Sequence, residues 1–158
     1  MPNGDIVRPT ADRVREAWMS IVQPWIPGAR VLDLFAGSGA LGIEALSRGA
    51  GHVDFVETAT PSLNAIGENL TQLGVGSEAK VHKMDAFTFL DVVHADAYDI
   101  AFADPPYDKG HAAKIAELWL ATPFAAILGV EHNAWEKLPD GGEKRKYGST
   151  AITFFRTR

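Results

Sequence analysis

The chain alternates between short apolar runs and segments in which apolar residues recur every three or four positions. Short segments at 31–35, 52–57, 79–84, 97–103 and 125–131 predict five strands, of which 31–35 is an apolar run interrupted only by Asp33. Helical spacing predicts helices from Thr10 or Asp12 to Val22, and over 41–47, 61–73 and 111–120. Two extended runs, 144–147 and 151–156, predict a closing hairpin. Strands alternating with helices predict an α/β fold with a mostly parallel sheet and a final antiparallel pair.

Length and composition restrict the class of protein. The 158 residues, of which 46% are hydrophobic and 22% charged, predict one domain over residues 1–158, with residues 1–7 flexible. There is no cysteine, which excludes disulfides and thiolate nucleophiles, and the five histidines lack paired metal-ligand spacing. No apolar run approaches the ~20 residues of a membrane span. We therefore expect a cytoplasmic protein without a metal or a membrane partner.

The net charge of −5 is unevenly distributed along the chain. Residues 31–136 contain 5 Lys and Arg against 15 Asp and Glu, whereas residues 137–158 contain 6 against 2. The first thirty residues are also slightly basic, with 4 against 3. The two basic ends of the chain could contact a phosphate backbone. Lysine and arginine side chains that are merely solvated would explain the same charge distribution nearly as well.

The stretch from Val31 to Gly42 is the strongest indication of a ligand site. An apolar strand runs into Gly37-Ser38-Gly39 and then into a helix, and the glycines can take positive φ and leave no Cβ between main chain and ligand. Gly37, Gly39 and Gly42 fit the dinucleotide pattern G-x-G-x-x-G. Asp33 opposes that interpretation, because its carboxylate would face an anionic pyrophosphate. It favours a ligand with a positive centre, such as the ammonium and sulfonium of S-adenosylmethionine.

Acidic residues also follow the second and third predicted strands. Ligands of such sheets bind outside the carboxyl ends of the strands, so Glu57 is placed to accept hydrogen bonds from ribose hydroxyls. Asp85 has two interpretations: it could accept a hydrogen bond from the adenine amino group, or it could cap a following helix.

The fourth strand ends in the most specific motif of the chain, Asp104-Pro105-Pro106-Tyr107. Two prolines remove two N–H donors, so this turn offers acceptors, namely the Asp104 carboxylate and the Pro105 carbonyl. An exocyclic base amine could donate to both, and Tyr107 offers a ring on which the base could stack. Drawing both amine hydrogens towards acceptors would localise the nitrogen lone pair for attack on a methyl sulfonium.

Together these motifs resemble the class I, S-adenosylmethionine-dependent amino methyltransferases that act on nucleobases. Three segments, 8–17, 32–50 and 146–150, are more narrowly similar to the RsmD family. Members of that family methylate the N2 amine of one guanine in small-subunit (16S) ribosomal RNA. The resemblance implies a Rossmann-like class I methyltransferase fold: a mostly parallel seven-stranded sheet with helices on both faces and an antiparallel last strand.

The resemblance also implies roles for individual residues. The expected S-adenosyl-L-methionine-binding set is Asp33, Phe35, Ala36, Gly37, Ser38, Gly39, Glu57, Asp85, Ala86 and Asp104. The expected catalytic set is Asp104, Pro105, Pro106 and Tyr107, with no metal ligand. Gly37 and Gly39 would line the methionine end of the cofactor, and Asp104 to Tyr107 would hold the target base.

The resulting hypothesis is a monomeric enzyme that methylates guanine N2 of ribosomal RNA, with ribosomal RNA or the assembling small subunit as its partner. Three alternatives stay open on the residues alone. The acceptor turn equally fits adenine N6 of DNA or RNA. The glycine pattern fits a nicotinamide-dependent oxidoreductase. A ribosome-assembly factor that binds S-adenosylmethionine without catalysis would also carry these motifs.

Overall fold

The structure, a computed structural model, describes residues 9–157, with side chains from residue 12 onwards. Its helices are α1 (Pro9–Val22), a short 3-10 turn (Gln23–Trp25), α2 (Ala40–Ser47), α3 (Thr60–Leu73), α4 (Ala86–Val92) and α5 (His111–Ala121). Its strands are β1 (Arg30–Leu34), β2 (His52–Glu57), β3 (Ala79–Lys83), β4 (Tyr98–Ala103), β5 (Ala125–Asn133), β6 (Glu143–Tyr147) and β7 (Thr150–Arg156). The expected flexibility of residues 1–7 concerns a segment outside the described residues.

The strands form one sheet of seven strands in the order β3-β2-β1-β4-β5-β7-β6. Strands β1 to β5 are parallel to one another. Strand β7 lies between β5 and β6 and is antiparallel to both. The predicted α/β fold with an antiparallel last strand is therefore confirmed. The chain reverses its winding direction between β1 and β4, which opens a crevice at the carboxyl ends of these two strands.

Two apolar layers cover the sheet. On one face, α1, α2 and α3 pack on residues such as Val31, Phe55 and Phe102, which are fully buried. On the other face, α4 and α5 pack on residues such as Leu32 and Val56. Within residues 9–157, no helix is long and apolar enough to cross a membrane.

Trp18 fixes α1 on the sheet. Its ring meets Phe102 and Phe154 edge-on, with centroid distances of 5.2 and 5.7 Å. The ring also fills the space above Gly129 of β5, where a Cβ would lie only 2.2 Å from Trp18 Cζ3. The glycine in this strand is therefore a close-approach site for the indole, and it determines where α1 lies.

Helix α4 was not predicted as an element, because its seven residues are too short to show a helical period. Its N-cap is Asp85, whose Oδ2 accepts hydrogen bonds from the backbone N–H groups of Phe87 and Thr88 at 2.9 and 3.1 Å. Of the two interpretations of Asp85, the helix cap is thus confirmed.

Candidate active site

The glycine turn after β1 carries backbone strain at the entrance of the crevice. Phe35, Gly37 and Gly39 all have positive φ, at 55°, 58° and 82°. The Gly37 amide donates to Glu57 Oε1 at 2.8 Å. A Cβ built at Gly37 would meet no described atom within 4 Å, so this backbone is open to a ligand.

Gly39 packs against the core. A Cβ at this position would lie 3.0 Å from Ile66 Cγ1 and 3.2 Å from Phe55 Cε1. The missing side chain at Gly39 therefore lets the turn pack on the core, and contact of the Gly37 and Gly39 backbones with a cofactor stays a prediction. Gly42 is also a packing glycine, because its Cβ would lie 2.4 Å from Phe55 Cε1.

Glu57, at the end of β2, binds three backbone amides. Besides the Gly37 amide on Oε1, its Oε2 accepts from Thr58 and Ala59 at 3.0 and 2.9 Å. The carboxylate thus joins the turn after β1 to the start of α3. Oε2 already accepts two hydrogen bonds and Oε1 accepts one, so Oε1 keeps one lone pair. Hydrogen bonds from ribose hydroxyls to Glu57 stay a prediction.

Asp33 lies beneath the glycine turn and not in the crevice itself. Its side chain is only 2% exposed, and its Oδ2 accepts a hydrogen bond from the Gly42 amide at 3.0 Å. Burial, and more weakly the charges of Asp104 and Glu57, raise the pKa of Asp33 well above its ordinary value, against the opposing effect of the Gly42 amide. The site therefore holds a carboxyl group that a positively charged ligand would help to ionise.

A small pocket of about 30 Å³ lies between the glycine turn and the end of β3. It brings four of the predicted cofactor residues together: Phe35, Glu57, Asp85 and Ala86. The Phe35 ring stacks on His111 at 5.9 Å and meets Phe87 edge-on at the same distance, so the strained residue is supported from α4 and α5.

A larger cleft of about 470 Å³ adjoins the other side of the turn. Its lining includes Ser38 and Asp104, both predicted as site residues. Two further contributions were not predicted. Helix α1 forms one wall with Asp12 and Arg15, which are paired at 3.1 Å, and β5 contributes Glu131. The sequence does contain a signal for Glu131. It is an acidic residue near the end of the fifth strand, just as Asp104 is the acidic residue that follows the fourth strand.

Asp104, the first residue of the Asp104–Tyr107 turn, lines this cleft, and Tyr107 attaches the turn to β5. The Tyr107 hydroxyl donates to Glu131 Oε2 at 2.7 Å and lies 3.3 Å from Thr150 Oγ1. Burial by surrounding protein atoms, followed by the charge of Glu131 and a hydrogen bond with it, raises the pKa of Asp104 to about 7. The Asp104 carboxyl group therefore exchanges its proton near neutral pH.

The predicted site residues thus fall into two adjoining sets. Phe35, Glu57, Asp85 and Ala86 line the small pocket, and Ser38 and Asp104 line the cleft. The glycine turn separates the two spaces, with Asp33 below it. The cleft is the larger of the two spaces, and the small pocket has room for only about one or two water molecules.

A family model described as "Conserved hypothetical protein 95" matches residues 1–156. Ribosomal RNA small subunit methyltransferase D of Haemophilus influenzae is 40% identical over 161 residues, covering 98% of this chain and 83% of that protein. The protein of the same name in Escherichia coli K12 is 37% identical over 144 residues, covering 88% and 71%.

A comparison of structures agrees with the comparison of sequences. The solved structure of the Escherichia coli protein yhhF superposes with a TM-score of 0.81 at 32% identity, over 94% of this chain and 86% of that one. The likeness therefore extends over nearly the whole sheet and its helices.

Proposed function

Because this chain belongs to the RsmD family, whose model is described as "Conserved hypothetical protein 95", we propose that it methylates the N2 amine of a guanine in small-subunit ribosomal RNA. Membership agrees with the resemblance of segments 8–17, 32–50 and 146–150. It also removes the reason to consider a nicotinamide-dependent oxidoreductase, since the relatives are named methyltransferases.

The observation that carries the proposal is the Asp104-Pro105-Pro106-Tyr107 turn at the edge of the cleft. Asp104 follows β4 directly and lines the cleft, so its carboxylate and the Pro105 carbonyl can accept the two hydrogens of an exocyclic amine. An amine held by both acceptors has its lone pair directed out of the base plane. The contribution of the turn is thus positioning and polarisation of the nucleophile.

The residues around the glycine turn fit S-adenosylmethionine. The open backbone at Gly37 admits a ligand, the buried Asp33 suits its positive charges, and Glu57 and Asp85 offer acceptors beside the small pocket. When bound, this cofactor supplies an electrophilic methyl group on its sulfonium. Phe35 and Ala86 would flank the adenine, with Ala36, Ser38 and Gly39 completing the turn.

Ribosomal RNA as the partner is supported by the basic hairpin. Lys144 and Arg145 lie exposed on the edge strand β6. Trp135, which follows β5 at the same edge of the sheet as Asp104, is 69% exposed. Cations next to an exposed aromatic ring suit a phosphate backbone with accessible bases. We further propose that the protein acts as a monomer in the cytoplasm.

The test is transfer of radiolabelled methyl groups from S-adenosylmethionine to small ribosomal subunits from cells that lack this protein. We expect N2-methylguanosine at one position after nucleoside digestion. N6-methyladenosine would contradict the proposed base. Absence of any transfer to assembled or partly assembled subunits, with cofactor binding intact, would favour a non-catalytic assembly factor.

Gly37→Ala is expected to weaken S-adenosylmethionine binding at least about tenfold, because the added Cβ occupies the space in which the ligand approaches the backbone. The positive φ of 58° adds strain of about 1 kcal/mol that is unrelated to the ligand. Gly74→Ala is the matched control, since Gly74 has a φ of 76°, no described neighbour within 4 Å of its Cβ, and a place at the end of α3. Calorimetric titration should show weakened binding for Gly37→Ala alone; equal affinities would contradict the placement of the cofactor.

A further inference from the structure

Glu131 and Asp104 lie side by side at the ends of neighbouring parallel strands. Ala103 of β4 is in register with Val130 of β5, so the next residues along each strand are Asp104 and Glu131. Both line the same cleft, and their carboxyl groups are close enough to form a hydrogen bond. Two carboxyl groups in contact are costly unless a ligand or a shared proton separates their charges.

The contact between Glu131 and Tyr107 uses only one oxygen of the carboxylate. The hydroxyl of Tyr107 donates to Oε2, which leaves Oε1 and the remaining lone pairs as acceptors. Thr150 offers the Tyr107 hydroxyl a second partner at 3.3 Å, so Glu131 is not needed merely to satisfy the tyrosine.

Guanine and adenine differ on the edge that these acceptors would meet. Guanine presents N1–H next to its N2 amine, so N1–H and one amine hydrogen point in the same direction, while the second amine hydrogen points to the N3 side. Adenine presents a bare N1 lone pair next to its N6 amine. A carboxylate beside the amine acceptors therefore binds N1–H of guanine and repels N1 of adenine, as base edges are read in single-stranded RNA.

We infer that Glu131 accepts a hydrogen bond from N1–H of the target guanine and thereby selects guanine over bases without that hydrogen. The inference rests on the proposed function and identifies the base-selecting residue of the same site. Asp104 and the Pro105 carbonyl take the hydrogens of the amine, and Glu131 takes the neighbouring N1–H. The negative charge shared by the two carboxyl groups is then offset by donors from the base.

The direct test combines a change of the target base, from guanine to 2-aminopurine, with the substitution Glu131→Gln. Small subunits are reconstituted with guanine or with 2-aminopurine, which keeps the C2 amine but has a lone pair at N1, at the methylated position. The wild-type protein should prefer guanine in kcat/KM by on the order of 100-fold, as expected for a lost bond to a charged group. The amide of Glu131→Gln can accept from N1–H of guanine or donate to N1 of 2-aminopurine, so we expect this variant to reduce the preference to below about tenfold.

Two further variants separate base selection from a structural role. Tyr107→Phe removes the hydroxyl that Glu131 accepts, and it should lower kcat/KM only several-fold without altering the preference for guanine. Glu131→Asp keeps a carboxylate and should retain the preference at a reduced rate. Thermal melting and S-adenosylmethionine binding, measured for all variants, should stay near the wild-type values because Glu131 faces the cleft.

The pH profile gives an independent readout. Asp104 must be ionised to accept from the amine, so wild-type activity should fall as the pH decreases through about 7, the raised pKa of Asp104. Glu131→Gln removes the neighbouring charge and should move this acid limb to lower pH. The charged or titratable groups around Asp104 are Glu131 on β5, Tyr107 in the same turn, Asp33 on β1 and the Asp12–Arg15 pair across the cleft on α1.

The outcomes for the inference and for the proposed function are distinct. If the wild-type protein does not methylate guanine in small subunits, the proposed function fails. If it does, and Glu131→Gln shows the same preference for guanine over 2-aminopurine, the inference about Glu131 fails while the function stands. Equal losses for Tyr107→Phe and Glu131→Gln would assign Glu131 the role of holding the tyrosine, which also overturns the inference.

Discussion

Replacing Asp104 by Ala is expected to reduce methyl transfer to small subunits by about a thousandfold, within the range for loss of a positioned polar group in the transition state. The variant loses one of the two acceptors for the amine, and the nitrogen lone pair stays delocalised in the ring. Binding of S-adenosylmethionine should change only a few-fold, because the open backbone at Gly37 and the acceptor Glu57 are untouched.

Single-turnover rates and calorimetric titration measure these two effects separately. Asp91→Ala is the matched control, since Asp91 is an exposed residue of α4 and does not line the cleft. Asp104→Asn keeps one acceptor oxygen and removes the negative charge, so it should retain more activity than Asp104→Ala. Activity of Asp104→Ala within tenfold of the wild type would refute the assignment of Asp104 as the amine acceptor.

Gly129→Ala is expected to lower the free energy of unfolding by about 3 kcal/mol and the melting temperature by roughly 5–10 °C. The added Cβ would lie 2.2 Å from Cζ3 and 2.9 Å from Cη2 of Trp18, a ring that is only 1% exposed and has no room to retreat. The substitution should therefore displace α1, and with it the wall of the cleft formed by Asp12 and Arg15.

Denaturant titration of the wild type and four variants tests this close packing. Gly67→Ala in α3 is the control, because its Cβ would meet no described atom within 4 Å and alanine favours the helix. The variant Trp18→Phe lacks the outer ring atoms that the new Cβ would contact. Combined with Gly129→Ala, it should recover part of the loss, and additive effects would contradict direct contact between the two positions.

The central strands were predictable from sequence because they are largely buried on both faces, whereas β3 and β6 are mostly exposed. In β4, residues 100–103 form a continuous apolar run. In β2, Asp54 interrupts the apolar residues Val53, Phe55 and Val56, and it accepts a hydrogen bond from Tyr98. Helix α4 escaped prediction because it makes about two turns. Its start was nevertheless visible in Asp85 as a cap.

The sequence predicts a site residue only where that residue ends or directly follows a strand along the chain. Glu57 and Asp104 follow from the rule that ligands bind at the carboxyl ends of parallel strands. The same rule extends to Glu131, although its contact with Tyr107 depends on the register between β4 and β5. The packing role of Gly39 depends on Ile66, which is distant in sequence and adjacent only after α3 folds onto the sheet.

The strand order β5-β7-β6 has a consequence for biosynthesis. Strand β7 is made after every other described strand, yet it lies inside the sheet and pairs with β5 from Ile127 to Asn133. Until β7 emerges from the ribosome, a nascent chain carries β5 with an unpaired apolar edge, which is the kind of edge that aggregates. The glycine turn and β1 to β3 can form much earlier, because their contacts are local. A nascent chain stalled before Thr150 would thus already contain the glycine turn and β1 to β3. Its β5 edge would depend on chaperones for protection from aggregation.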